Sequence, residues 1–288
     1  MSYSNYIIML LEKEVDKGDA EAMFQLGRLY SNHPSEETYD PDKAIPLLRQ
    51  AIALGHKEAK GSLGRLLMRN GHEAEAVELL KNVATNGEIP EKVQAQLEVG
   101  DYFLEVGNHK EAIKWLTEAA SSGVYKWWAW EVLAKCYKEL GGKKNIAKAQ
   151  KIYEELAAEG HPVASLELGR LYYTGATGID KDYTKAIANL TKSIDEGENE
   201  GLLGLASIYD SGGHGVSRDL KAAYLFYYLY DLLASEYYDD EDREYIPQRL
   251  NNIGECLSWC NGGRSIDELI EEWLPEPLVS ILVRSLSY

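Results

Sequence analysis

The chain has 288 residues, 45% of them hydrophobic, with 30 basic and 47 acidic side chains for a net charge of −17. That composition excludes a disordered chain, and the negative field argues against sequence-independent nucleic-acid binding and against anchoring on anionic lipid. No segment approaches membrane-spanning length, three cysteines are too few for a disulfide framework, and the first residues lack a secretory pattern, so a cytoplasmic protein is expected.

From the N-terminus, Tyr6 to Lys17 reads as a helix with Ile7, Leu10 and Leu11 on its apolar side, ended by Gly18. An unpaired helix in that place predicts a cap, residues 1–18, covering the first of a series of repeats. Residues 19–235 then show a period. A small residue recurs as Gly27, Gly64, Gly100, Ala134, Gly169 and Ala206, at separations of 37, 36, 34, 35 and 37. Three residues beyond each stand Tyr30, Leu67, Phe103, Tyr137, Tyr172 and Tyr209. An alanine in the following apolar stripe recurs as Ala44, Ala76, Ala112, Ala149, Ala186 and Ala222, and Gly55, Gly87, Gly123, Gly160 and Gly197 close five of the six units. Three registers kept together six times predict a helix-turn-helix repeat.

Gly169 lies inside a helical pattern, where glycine costs about 1 kcal/mol relative to alanine, and close approach of another helix would offset that loss. From marker to alanine the distances are 17, 12, 12, 15, 17 and 16 residues. Asn70-Gly71 and Gly107-Asn108 are the tight turns of the two short units. After the sixth unit, Tyr237 to Asp242 reads as an acidic break. Ile246 to Trp259, Ile266 to Trp273 and Pro277 to Leu286 are predicted helices, so residues 236–288 form a break and a C-terminal helical cap.

The order Leu-Gly-x-x-Tyr, a glycine-bearing loop, Asp-x-x-Lys-Ala and a closing glycine resembles the Sel-one-like repeat branch of the tetratricopeptide superfamily. Leu168-Gly169, Tyr172, Gly175, Gly178, Asp182, Lys185-Ala186 and Gly197 carry the resemblance, and Tyr209 to Ala222 repeats the loop almost letter for letter. The resemblance implies an all-α fold, a right-handed α-solenoid of about six helix-turn-helix repeats with helical caps. It also implies that first helices line a concave face and that the residue after the small marker points toward it. Those residues are Arg28, Arg65, Asp101, Lys135, Arg170 and Ser207, four of them basic in an acidic chain, and Arg69 and Lys138 extend the row.

Two readings of that row stand side by side. In one, the arginines and lysines clamp carboxylates of an extended peptide or acidic helix. In the other, they pair with Glu21, Glu58, Glu131 or Glu167 and keep the surface soluble. Trp127-Trp128-x-Trp130 adds an aromatic cluster that one helix cannot bury entirely. Trp128 is expected to be exposed as a partner contact, while Trp127 or Trp130 fills the space beside Ala134. Tyrosines 224, 227, 228, 230, 237 and 238 crowd the last unit.

Chemistry-bearing motifs are absent from the sequence. The six histidines stand singly, Cys256 and Cys260 read as small buried residues, and no nucleophile elbow or phosphate-binding loop appears. No cofactor or metal is expected. The chain is therefore read as a non-catalytic protein-protein interaction scaffold in a bacterial-type cytoplasm, with a protein or peptide partner. An immunity-like inhibitor of a basic toxin is a second reading, since an acidic field would steer a basic protein inward. An enzyme is the third, and it would need a closed pocket with paired titratable groups.

Overall fold

The computed structural model describes residues 3–32, 38–234, 240–265 and 268–269. Among them are fourteen helices and no named strand, an all-α repeat fold. They are α1 (Tyr3–Val15), α2 (Ala20–Tyr30), α3 (Pro41–Ala53), α4 (Ala59–Arg69), α5 (Glu73–Asn86), α6 (Glu91–Glu105), α7 (His109–Ser121), α8 (Lys126–Leu140), α9 (Lys143–Ala158), α10 (Pro162–Thr174), α11 (Tyr183–Asp195), α12 (Glu200–Ser211), α13 (Leu220–Ala234) and α14 (Asp240–Cys260). The chain divides into two compact units, Met1–Cys136 and Tyr137–Tyr288, with the boundary inside α8.

Within each repeat, one contact explains the glycine period. A Cβ built on Gly27 would lie 2.9 Å from Leu48 Cγ, and one on Gly64 would lie 2.9 Å from Leu80 Cγ. Gly100 and Gly169 are tighter, at 2.6 Å from Leu116 Cγ and Leu190 Cγ. These leucines are almost fully buried and stand four residues after the helix-two alanine. Glycine is thus required for close packing of the two helices, which offsets its poor helix propensity. Repeats four and six, whose marker is alanine, place Tyr153 and Tyr227 in the leucine register, both buried.

A second contact set explains the Tyr and Asp-x-x-Lys positions. In repeats one, five and six the Asp40, Asp182 and Asp219 N–H groups donate to the carbonyls of Tyr30, Tyr172 and Tyr209 at 2.9, 2.9 and 2.8 Å, tying each loop back to its first helix. The carboxylates of Asp40 and Asp182 then accept from the N–H of Lys43 and Lys185 at 3.1 and 3.0 Å, satisfying donors that a helix start leaves orphaned. Lys43 and Lys185 reach back to the same carboxylates at 2.9 and 3.4 Å. Their ammonium groups also lie 5.2 Å above the rings of Tyr30 and Tyr172. The motif is one physical unit: a cap, an ion pair and a cation on a ring.

The same capping geometry corrects the register of repeat six. The helix-two alanine is the residue whose N–H bonds to the cap carbonyl, as Ala44 does to Asp40 and Ala186 to Asp182. In the sixth repeat that residue is Ala223, bonded to Asp219 at 2.9 Å and buried, whereas Ala222 is half-buried. Ala206 to Ala223 restores the seventeen-residue spacing of repeats one and five.

The ends depart from expectation as well. Helix α1 packs Ile8, Leu11 and Val15 against the core of repeat one and leaves Leu10 exposed, one register off the predicted apolar face. Asp240, Glu241 and Asp242 lie within α14 rather than in a break. The predicted helix over 266–273 lies mostly, and that over 277–286 entirely, outside the described residues.

Candidate functional site

In the first unit, the residues following the small markers come from α2, α4, α6 and α8. Arg28 is exposed, with its guanidinium carbon 5.5 Å from the centre of the Phe24 ring. Phe24 in turn stacks on His56 at 4.1 Å, and His56 is 3.0 Å from Glu21, so Glu21 is engaged by a histidine rather than by Arg28. Arg69 Nη2 donates to the Ser31 carbonyl at 2.6 Å, which fixes its guanidinium beside α2. Among the described residues no carboxylate forms an ion pair with Arg28 or Arg69.

Arg65 stands between them in the row. Its Nη1 is 3.6 Å from Glu98 Oε1, too far for a hydrogen bond, and this buried nitrogen has no hydrogen-bond partner among the described residues. Gly61, one turn earlier, leaves room for the guanidinium: a Cβ there would sit 3.5 Å from both terminal nitrogens.

Two depressions share Arg65 and Arg69 as a common wall. The polar one, about 310 Å³, adds Arg28, Ser62 and Gln94, and Glu58 and Glu91 line it as well. The apolar one, about 470 Å³, adds Met68, Leu80, Tyr102 and Trp128, with Glu98, Asp101 and Glu105. Trp128 is 42% exposed, as expected, and meets Tyr125 edge-on with ring centres 6.4 Å apart. Trp127 is 46% exposed and so does not fill the space beside Ala134; Trp130 is half-buried.

Burial raises the carboxyl pKa of Glu98, and Arg65 and a hydrogen bond from Gln94 oppose it. Burial likewise raises Asp101, opposed by Lys135. A carboxyl whose folded pKa is raised binds protons more readily folded than unfolded, so its protonation favours folding at low pH, and that contribution is lost as pH rises through the folded value. The Tm of the wild type should therefore exceed its neutral-pH value by more, on acidification just above the ordinary carboxylate range, than that of Glu98→Gln. Parallel pH profiles of the two would contradict the assignment.

The second unit holds Lys138 and Arg170, and there the competing reading of the row applies. Glu167, only 9% exposed, pairs with Lys138 and with Arg170 Nη1 at 3.1 Å, and Arg170 Nη2 pairs with Glu200. These two cations are neutralised internally. Lys135, in the first unit, is exposed beside Asp101.

A polar cluster that the sequence did not reveal also lies in the second unit. Asp210, 8% exposed, accepts from Arg249 Nε at 2.6 Å and is paired a second time by the same guanidinium. Arg218 Nε donates to the Asp210 carbonyl at 2.7 Å. Tyr227 and Tyr245 hydroxyls are 3.3 Å apart, and burial pushes the Tyr227 hydroxyl pKa well up. Tyr224, Tyr227 and Tyr230 are core residues, which accounts for half of the tyrosine crowding; Tyr237 and Tyr238 lie outside the described residues.

Cys256 and Cys260 are exposed on α14, contrary to the expectation of burial. Among the described residues, no group of three or more His, Cys, Asp or Glu side chains could hold a metal ion, and no helix is long and apolar enough to cross a membrane.

The chain matches the Sel1 repeat at residues 20–56, 133–161, 162–198 and 200–229, and the tetratricopeptide repeat at 39–82 and 62–123. A search of curated proteins finds no match. Among solved structures, a Sel1 repeat protein from Oxalobacter formigenes is 21% identical with a TM-score of 0.60, covering 97% of this chain and 75% of its own. The pilF protein of Pseudomonas aeruginosa is 19% identical with a TM-score of 0.57, covering 81% of this chain and 98% of its own. At this identity the likeness is one of fold. An immunity protein from Pseudomonas aeruginosa, 21% identical over 75% of this chain and 82% of its own, has a TM-score of 0.41, too low to carry an argument. The matched repeats and the contacts that build them identify the chain as a Sel1-like repeat protein of the tetratricopeptide superfamily.

Proposed function

We propose that the chain is a non-catalytic scaffold that binds a partner protein on the exposed faces of its first helices, chiefly in the first unit. The observation that carries this reading is the contrast between the two halves of the arginine row. Arg170 and Lys138 are consumed by Glu167 and Glu200, whereas among the described residues Arg28 and Arg69 have no carboxylate partner and flank a depression. In a chain with a net charge of −17, cations without a carboxylate partner among the described residues, beside an exposed tryptophan, mark a surface suited to another molecule. Repeat families of this kind are typically non-catalytic, and the depressions are open and lack a nucleophile-base pair.

The test is capture of partners from the source cell by wild type and by an Arg28→Glu, Arg69→Glu double variant. A protein retained by the wild type and lost by the double variant is the expected result. A partner held equally by both moves the binding face elsewhere. The net charge supports a second reading, an immunity-like inhibitor of a basic toxin. In that case the captured protein is a single basic enzyme held by acidic faces, and it remains bound to the double variant.

A further inference from the structure

Two cysteines stand one turn apart at the end of α14, beyond the last repeat. Cys256 and Cys260 are both exposed, and their side chains share a hydrogen bond. Four residues apart on a helix, they lie on one side of it. We propose that this pair is a binding site for one soft monovalent metal ion, Cu(I), held between two thiolates at the last turn of α14. The site is separate from the first-helix faces and does not depend on the scaffold reading.

Distance decides between a disulfide and a bridging ion. Cβ atoms one turn apart on a helix are separated by about 5–6 Å, whereas a relaxed disulfide needs them within about 3.5–4.5 Å. Direct oxidation of the pair therefore has to deform the helix. An ion does not: with metal–thiolate bonds of about 2.3 Å it joins sulfurs up to about 4.6 Å apart. The last turn also resists deformation. The Asn261 N–H donates to the Leu257 carbonyl at 3.0 Å, the Gly263 N–H to the Ser258 carbonyl at 2.8 Å, and Ser258 Oγ to the Arg264 carbonyl at 2.7 Å. Ile253 and Leu257 are buried in the core that α14 shares with the sixth repeat, which fixes the helix about its axis.

The donor set selects the ion. Two sulfur ligands suffice for Cu(I), a soft cation stable in two-coordination, but not for Zn(II), which takes four ligands. Among the described residues, no group of three or more His, Cys, Asp or Glu side chains offers a larger site. Desolvation, the neighbouring Cys256 sulfur and the hydrogen bond between the two raise the Cys260 thiol pKa. Cys260 is therefore protonated at neutral pH and a poor nucleophile toward a hydroperoxide. A cation between the sulfurs cancels the repulsion that contributes to this shift. Binding is a ligand exchange without electron transfer: two S–H bonds break, two Cu–S bonds form, and two protons leave, giving an anionic bis-thiolate. The net charge of −17 raises the concentration of cations near the surface.

The experiment titrates the fully reduced full chain, in the absence of air, with Cu(I) presented as its complex with a chromophoric chelator. One ion per chain should pass to the protein, with release of about two protons read by an indicator dye. Cys256→Ser and Cys260→Ser should each weaken capture by more than about a hundredfold, beyond what loss of a merely supporting residue costs. Cys136→Ala should leave capture unchanged, because that thiol is buried in α8. No transfer of Cu(I), transfer that survives loss of both Cys256 and Cys260, or one ion shared between two chains on size exclusion overturns the inference. So does a pair that closes to a disulfide in dilute hydrogen peroxide yet takes no Cu(I), since it would then be a redox couple. Circular dichroism and Tm of each variant separate loss of a ligand from loss of fold.

Discussion

Gly169→Leu is expected to destabilise the second unit by about 3 kcal/mol, at the upper end of what overpacking costs. The position has no room for a side chain: a Cβ would meet Leu190 Cγ at 2.6 Å and the Leu190 backbone nitrogen at 3.2 Å. Leu190 cannot retreat, because it is almost fully buried and Gly204 approaches it from the next repeat, where a Cβ would lie 2.8 Å from Leu190 Cδ1. One leucine is thus clasped between glycines of successive repeats.

Gly169→Ala is the more discriminating variant. Alanine in a helix interior gains about 1 kcal/mol over glycine, so a glycine that is merely tolerated would give a more stable protein on replacement. Close approach requires the opposite sign, because the 3.2 Å contact is to backbone and cannot be relieved by a rotamer change. Urea unfolding followed by helical circular dichroism reads both variants. A midpoint for Gly169→Leu equal to that of the wild type would remove the packing explanation of the repeat period.

Asp210→Ala should cost about 2–3 kcal/mol and release α14 from the sixth repeat. The carboxylate is buried and engages Arg249 through two nitrogens, while Arg218 holds the backbone carbonyl of the same residue. Removing one partner of a buried ion pair leaves the other cation without compensation, which in a closed site costs more. Here the Arg249 and Arg218 side chains are 28% and 57% exposed, so water recovers part of the loss. Hydrogen exchange localises the effect: amides of α14 should lose protection while those of α10 and α11 keep theirs. Unchanged protection across α14 would show that its apolar contacts through Ile246, Ile253 and Leu257 suffice to hold it.

The repeat was legible because its markers are local and each has one physical cause. Gly169 accommodates a leucine twenty-one residues on, Asp182 caps its own helix, and Tyr172 receives both the loop N–H and the lysine. The slip at repeat six arose where Lys221-Ala222 imitates the Lys-Ala pair, although the cap at Asp219 places the buried alanine one residue later. Charge pairing was legible only in part: Glu167 was among the acids expected to pair with the row, and it pairs with Lys138 and Arg170. Glu200 pairs with Arg170 from thirty residues away and Arg249 finds Asp210 across thirty-nine, distances at which sequence spacing says nothing about which carboxylate faces which cation. The basic row therefore read as continuous, whereas its Arg170 and Lys138 end is neutralised and, among the described residues, its Arg28 and Arg69 end is not. Exposure of Cys256 and Cys260 escaped notice for a related reason: α14 has no second copy whose apolar register could be compared.

The role of the first-helix face of the first unit is tested most directly by site-specific photo-crosslinking in the source cell, with a benzophenone side chain placed at Ser62 on α4 or at exposed Glu78 on α5. Ser62 lines the arginine depression and Glu78 does not. The expected result is a discrete protein adduct from Ser62, suppressed by Arg65→Glu, and none from Glu78. Adducts from Glu78 alone, or from neither position, would contradict it.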